Sequence, residues 1–255
     1  MKTTVAIPAR LGSTRFPRKV LADLCGKPMI QHVYEKVKQA NVADDIYVLV
    51  DATEVENVVR SFGGKSIMTS PECYCGTDRI VSVLDRLQTD LIINVQGDEP
   101  LLDPESLIAI HERAKISQAD IITPIFKITD PADIEDPSRV KVAVCQNGKA
   151  LYFSRSPIPF VRGIEKSKWL THCPFWGHIG VYGYRRAVLE NYKNLYASSL
   201  ETAESLEQLK FLANGYAIDT VITELPTIGI DTPEDLEKAT IWLSSREKKN
   251  SIFNS

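Results

Sequence analysis

Short β-branched runs alternate with helix-period patterns along most of this chain, and that alternation limits how its apolar faces can be buried. TTVAIPA is followed by a pattern with Ile30, Val33, Val37 and Ala40 on one helical face, then IYVLVD and a second helix. A helix is expected near residues 77–87, a strand LIINVQ from Leu91, a helix opened by Asp103 and Pro104, and a strand ADIITPIF. Strands separated by helices pair in parallel, so the spacing predicts a three-layer αβα fold of Rossmann-like type, with a mixed, mainly parallel sheet.

The rhythm changes after about residue 137. RVKVAVCQNGKALYFSR reads as a β-hairpin turning at Asn147 and Gly148. A loop rich in Pro, Arg and Lys (Pro157 to Lys168) follows, then one strand HIGVYGYR, one helix from about Ser199 to Asn214, a strand AIDTVITEL and a last helix. The predicted division is an α/β core of residues 1–136 and 200–255, with a smaller β-rich insertion at 137–199. In the Ser199–Asn214 helix, Glu204, Glu207 and Gln208 would share one face, while Leu200, Ala203, Leu206, Leu209 and Ala213 would face the core.

Composition excludes several classes. With 44% hydrophobic and 25% charged residues the chain is globular, and a formal net charge of -3 gives no general reason to bind nucleic acid. The N-terminus resembles neither a signal peptide nor a spanning helix, so no membrane insertion and a cytoplasmic location are expected. The 5 cysteines are odd in number and scattered, which fits reduced thiols. Cys73 and Cys75 with His172 and Cys173 could in principle hold zinc, although the spacing matches no common zinc pattern.

The chemistry concentrates after the first strand, in Pro8-Ala9-Arg10-Leu11-Gly12-Ser13-Thr14-Arg15-Phe16-Pro17-Arg18-Lys19. Loops leaving the carboxyl ends of parallel strands form the ligand crevice of open α/β folds. Clustered cations there can neutralise a polyphosphate, and Gly12 and Ser13 let backbone N–H groups approach it. A solvated basic loop is the plain alternative. Neither GxGxxG nor GxxxxGK[ST] occurs, which removes the main support for a dinucleotide fold or a P-loop.

PARLGSTRFPRK with Gly26-Lys27-Pro28-Met29 resembles the opening signature of sugar nucleotidyltransferases. MTS at 68–70, GTDR at 76–79, NVQGDEP at 94–100, KALYFSRSPIP at 149–159, HIGVYGY at 178–184, LEQL at 206–209 and DTPEDL at 231–236 together resemble the CMP-Kdo synthetase family, in order along nearly the whole chain. The resemblance implies a magnesium-dependent cytidylyltransferase. In such an enzyme the anomeric hydroxyl of a 2-keto-3-deoxy sugar acid, Kdo first among them, attacks the α-phosphorus of CTP and releases pyrophosphate. The product would serve lipopolysaccharide or capsule assembly, the insertion would help bind sugar, and the chain would form a homodimer.

Residue by residue, the resemblance assigns Ala9, Arg10, Ser13, Arg15 and Lys19 to the triphosphate, with Arg10, Lys19 and Asp98 carrying catalysis. Gly76, Thr77 and Arg79 fall to cytosine and ribose, Asp98 and Asp231 to Mg²⁺, and Gln96, Arg155, His178, Tyr182, Glu207 and Gln208 to the sugar. Thr232 can cap the last helix with Pro233 at its first position, leaving Asp231 outside it. His178 and Tyr182, alternating along one strand, would point to one side. A turn aspartate for Asp98, a second cap for Asp231 and ordinary packing for His178 and Tyr182 are the bland readings.

Several positions depart from the family pattern. Arg18 and Val20 replace the glycine and proline that flank the front-loop lysine, only Asp51 remains of an ATDD-like segment, and Cys73 and Cys75 stand for His and Ser. Gly177 stands where a cation commonly precedes the histidine, and Lys210 closes LEQLK. These leave two alternatives open: a cytidylyltransferase for another acidic acceptor, such as 8-amino-Kdo or a sialic-acid-like sugar, and a non-catalytic nucleotide-binding protein.

Overall fold

The structure is a computed structural model that describes the backbone of every residue except 14, 225–228 and 254–255, and side chains as far as residue 245. It contains two compact units. One comprises Lys2–Gln88, Asn94–Pro104 and the C-terminal segment; the other comprises Thr89–Ile93 and the chain from Glu105 through the strand Ile218–Thr223. The 137–199 stretch lies within the second unit rather than forming a compact unit of its own.

In the first unit the opening strand Thr3–Ala9 is buried throughout. It pairs in parallel with Asp45–Val50, which pairs in parallel with Lys65–Met68. The helix Met29–Ala40 buries Ile30, Val33, Val37 and Ala40, the face read from the sequence, together with Met29, and stops at Asn41 in the left-handed region (φ 53°). After Asn94 the chain runs beside the opening strand, with Val95 N–H donating to Ala6 O at 3.0 Å and Gly97 N–H to Pro8 O at 3.1 Å. A Cβ on Gly97 would stand 2.8 Å from Pro8 O, so only glycine permits this approach.

The helix expected over 77–87 is shorter: Gly76–Val81, followed by a 3-10 turn at Leu84–Arg86. Ser82 donates back to Arg79 O at 2.7 Å, a local bond that competes with helix propagation. The last helix, Pro233–Phe253, opens as expected at Thr232. The Thr232 hydroxyl accepts from Asp235 N–H at 3.2 Å, and the Asp235 carboxylate accepts from Thr232 N–H at 3.1 Å, a reciprocal cap. Leu24, Met29, Leu101, Ile230 and Ala239 form a core cluster beneath this helix, joined by Phe16, Leu236 and Trp242.

In the second unit the strand Ile121–Lys127 pairs in parallel with Ile218–Thr223. The expected hairpin is present, Lys141–Val144 against Ala150–Ser154, with Gly148 at φ 84° in its turn. HIGVYGYR is two strands rather than one, Trp176–His178 and Tyr182–Arg185, both antiparallel to Ile121–Lys127. The break between them is held by the Thr123 hydroxyl, which lies 2.8 Å from Val181 O and 3.2 Å from Ile179 O. His178 and Tyr182 nevertheless meet, with ring centroids 5.4 Å apart.

The single helix expected over 199–214 is two, Ser199–Glu204 and Gln208–Ala213, separated at Ser205 (φ 52°). Arg155 donates from Nε to Glu204 O at 2.7 Å, taking a carbonyl that helix continuation would need. The common face of Glu204, Glu207 and Gln208 is therefore absent. Leu200, Ala203 and Ala213 are exposed, whereas Leu206 and Leu209 are buried as expected.

Gly177 lies opposite Phe126 in the antiparallel register, and a Cβ there would collide with the Phe126 ring. The ring covers the glycine, an arrangement that pins register across the strand pair. Gly177→Ala should lower unfolding free energy by about 1–3 kcal/mol through overpacking. Adding Phe126→Leu should restore part of it, measured by urea unfolding; additive losses in the double variant would reject this pairing.

His178 keeps partial surface exposure, but its ring packs edge-on against Phe153 at 4.9 Å and its Nε2 lies 2.9 Å from Thr123 Oγ. Burial pushes its pKa from 6.5 down to about 3. The folded state thus favours the neutral ring, while the unfolded state takes up its proton at the higher value. The stabilisation is complete above about pH 6.5 and is lost as pH falls toward the folded value. The stability gap between wild type and His178→Gln should narrow as urea titrations move from pH 7 to pH 4, and a constant gap would contradict it.

Candidate active site

Four segments of the first unit converge on one cavity of about 360 Å³, lined among others by Arg10, Ser13, Arg15, Lys19, Gly76, Asp98 and Asp231. That size suits a small-molecule ligand. The front loop leaves the opening strand and is tied down where Leu11 N–H donates to Asp51 at 2.8 Å. Arg10 is exposed and has no side-chain partner among the described residues, while Arg15 reaches Asp231 at 3.1 Å. Ser13 accepts from Phe16 N–H at 3.4 Å.

Lys19 stands at the centre, only 8% exposed. Its ammonium donates to Asp98 at 2.5 Å and to Asp231 at 2.8 Å. The carboxylates are side by side because Ile230 N–H donates to Asp98 O at 3.0 Å, which draws the start of the DTPEDL segment against the end of NVQGDEP. Burial alone would lower the Lys19 pKa, but the charges and hydrogen bonds of Asp98 and Asp231 raise it above the ordinary lysine value. For Asp231 burial works upward, and is outweighed by the hydrogen bond and charge of Lys19 and then by Arg15, leaving it below the ordinary range. Glu99 is buried with one carboxyl oxygen unpartnered; burial first, and then the Asp98 charge, pushes it up to about 8, so near neutrality it adds no net charge beside Asp98.

Gly76, Gln96 and Arg79 also line the cavity, whereas Ala9 and Thr77 are buried and do not. Arg79 is only 2% exposed. Its guanidinium donates to Asp51 at 3.2 Å, to Ser70 O at 3.3 Å and to the Thr69 hydroxyl. Asp51 thus bonds the front loop with one oxygen and Arg79 with the other, a positioning role that sequence reading left unassigned. Its place at the carboxyl end of the second strand was the available signal. Cys75 accepts from Asp78 N–H at 3.3 Å as the cap of the Gly76–Val81 helix, and Cys73 reaches Ser82 at 3.9 Å. All cysteines are free, and no group of 3 or more metal-binding side chains occurs among the described residues, so the thiols have no zinc set.

Arg18 holds φ 60°, the left-handed backbone that a glycine would adopt easily, and pairs with Glu54. Its charge is therefore directed to a helix and is not part of the cavity lining.

The remaining sugar candidates lie in the second unit. Tyr182 donates to Gln208 Oε1 at 3.1 Å, and the buried Gln208 Nε2 has no hydrogen-bond partner among the described residues. Glu207 accepts from the Tyr192 hydroxyl at 2.9 Å. Arg155 is engaged by the carbonyls of Glu204, Pro137 and Ser205, so it braces the chain break at Ser205. His178, Tyr182 and Gln208 are thus brought together, while Glu207 and Arg155 are committed to other partners.

The cytidylyltransferase family profile matches residues 4–221. A 3-deoxy-manno-octulosonate cytidylyltransferase of Parabacteroides distasonis is 46% identical, covering 96% of this chain and 100% of the relative. An 8-amino-3,8-dideoxy-manno-octulosonate cytidylyltransferase of Shewanella pealeana is 45% identical over 92% of this chain and 96% of its own. The solved structure of a CMP:2-keto-3-deoxy-manno-octonic acid synthetase complexed with CTP superposes with a TM-score of 0.90 at 41% identity, covering 96% of this chain and 100% of that one. The mixed sheet with flanking helices is the nucleotidyltransferase α/β fold, and the chain belongs to the cytidylyltransferase family, in the CMP-Kdo synthetase branch.

Proposed function

We propose that this protein transfers CMP from CTP to the anomeric hydroxyl of 3-deoxy-manno-octulosonate and releases pyrophosphate. The observation that carries the reading is the cavity itself, where exposed Arg10 and Arg15 flank Lys19 and two converging carboxylates. The sugar hydroxyl attacks the α-phosphorus as the bond to pyrophosphate breaks, so the protein must align the reactants and balance phosphate charge. Arg10, Arg15 and Lys19 supply cations to the triphosphate, Gly76 allows close approach of the nucleoside, and Asp51 fixes Arg79 behind it.

The carboxylates fit Mg²⁺. Asp98 and Asp231 already direct oxygens at a common cation, the Lys19 ammonium, and an oxygen donor pair completed by phosphate and water is what Mg²⁺ prefers. Bound there, Mg²⁺ would neutralise phosphate charge and orient the reacting groups. Gln96 lines the same cavity and suits the acceptor. In the second unit the unpartnered Gln208 amide, with Tyr182 and His178, offers hydrogen-bonding groups suited to a polyhydroxy acid.

A second reading, the 8-amino sugar as acceptor, is favoured by the similarity to the Shewanella pealeana relative. No described helix is long and apolar enough to cross a membrane, and a cytosolic setting with its CTP pool suits the reading. We also infer a homodimer using the 137–199 stretch, where Leu151 and Phe160 are 61% and 73% exposed.

Pyrophosphate release with CTP and Mg²⁺ should be rapid with Kdo, and absent without a sugar. Release with 8-amino-Kdo or a sialic acid alone would transfer the function to that acceptor, and silence across the panel would favour a non-catalytic nucleotide binder. Asp98→Ala should reduce turnover at least about 100-fold with the fold intact by circular dichroism, while near-normal rates would remove Asp98 from the metal site. Sedimentation should give a dimer that Leu151→Asp shifts toward monomer; a wild-type monomer would refute the interface.

A further inference from the structure

The contacts of Lys19 carry a consequence for the order in which the cavity fills. Its ammonium occupies the position toward which Asp98 and Asp231 both point, at 2.5 and 2.8 Å, and its side chain is only 11% exposed. Arg15 takes the second oxygen of Asp231 at 3.1 Å. The two carboxylate charges therefore meet two cationic charges, and the group is neutral as it stands. A divalent cation entering alone would have to displace the buried ammonium into a cavity whose described lining offers it no other carboxylate, leaving two cations beside the metal. A cation arriving with a nucleoside triphosphate brings phosphate oxygens that can receive both Lys19 and Arg15. The same exchange that opens the carboxylates then places the lysine on the phosphates.

We propose that Lys19 is a placeholder cation: it holds the Asp98–Asp231 site closed to divalent metal until a nucleoside triphosphate arrives, and then passes from carboxylate to phosphate. The idea rests on the metal-site reading above and adds an order to it. It makes Lys19 a residue that lowers metal affinity in the free enzyme although it assists the chemistry. It also keeps the two carboxylates poised while no metal is bound, since without Lys19 they would be like charges held close together.

The test is direct titration of the nucleotide-free protein with Mn²⁺, a spectroscopic substitute for Mg²⁺, followed by paramagnetic resonance of the free ion. A site occupied by an internal competitor shows an affinity reduced by the fraction of time it is open. Wild type should accordingly bind Mn²⁺ weakly, and Lys19→Met about 10–100-fold more tightly, with a larger rise in melting temperature on adding Mn²⁺. Lys19→Arg, which keeps a cation, should remain weak. Equal affinities in wild type and Lys19→Met would overturn the placeholder, as would micromolar binding by wild type, a result that stands even if Lys19→Met does not fold. Asp98→Asn in the Lys19→Met background separates the two ideas: tight binding that survives it would mean that Asp98 is not a ligand and that the metal-site reading has failed, whereas tight wild-type binding that needs Asp98 would spare the site and reject only the placeholder.

Discussion

The ammonium of Lys19 between Asp98 and Asp231 joins residues 79 and 212 positions away in sequence, and the geometry of the cavity in the first unit is arranged around that junction. Isolated, two carboxylates pointing at one position would repel each other and splay. The backbone bond from Ile230 to Asp98 prevents the splaying, and the core of Leu24, Met29, Leu101, Ile230 and Ala239 holds the last helix where Asp231 can reach. The side-chain cap by Thr232 and Asp235 starts the helix at that point, so that Asp231 remains outside it. Burial of the ammonium is tolerated because both partners are charged and within hydrogen-bonding distance.

A second anchor, Asp51, acts on the opposite side of the front loop. One oxygen holds Leu11 N–H and the other holds Arg79, so the loop start and the Gly76–Val81 helix are referred to the end of the second strand. The neighbouring Arg10 side chain is exposed and has no partner among the described residues. In the proposed reaction, an exposed guanidinium beside an anchored loop start would meet the charge of the leaving group without reorganising.

Much of this was legible in the sequence, because strand alternation, the face of Ile30, Val33 and Val37, the Asn147–Gly148 turn and the Thr232 cap are all set by local patterns. Besides the helix expected over 77–87, which stops at Val81, two elements were not. The Ser199–Asn214 pattern is locally a good helix, and it breaks because Arg155, from the hairpin, removes a carbonyl from it. HIGVYGYR reads as one strand until Thr123 takes the carbonyls at its centre. In both cases a side chain more than 40 residues away decides, as the separations of 49 for Arg155 and 56 and 58 for Thr123 make plain. The candidate site was read through family motifs, yet its internal pairing was invisible: nothing in the spacing of Lys19, Asp98 and Asp231 says that the lysine faces the acids rather than the ligand.

The departures from the family pattern raised the possibility of a different acceptor, and the structure gives four of them local partners. Arg18 keeps the left-handed backbone and pairs with Glu54, away from the cavity. Gly177 lies under Phe126, so the missing side chain there is replaced by an aromatic ring from the neighbouring strand. Cys75 caps its helix through sulfur, a job that serine does through oxygen, and Lys210 lies 4.2 Å over the ring of Tyr192, whose hydroxyl in turn holds Glu207. Val20, Cys73 and Cys75 nevertheless line the cavity, whereas Arg18 does not. In the second unit the buried Gln208 amide beside Tyr182 lacks a partner among the described residues, and a buried polar group left unpaired is costly unless something else meets it, which is why the proposed reading gives it to the acceptor.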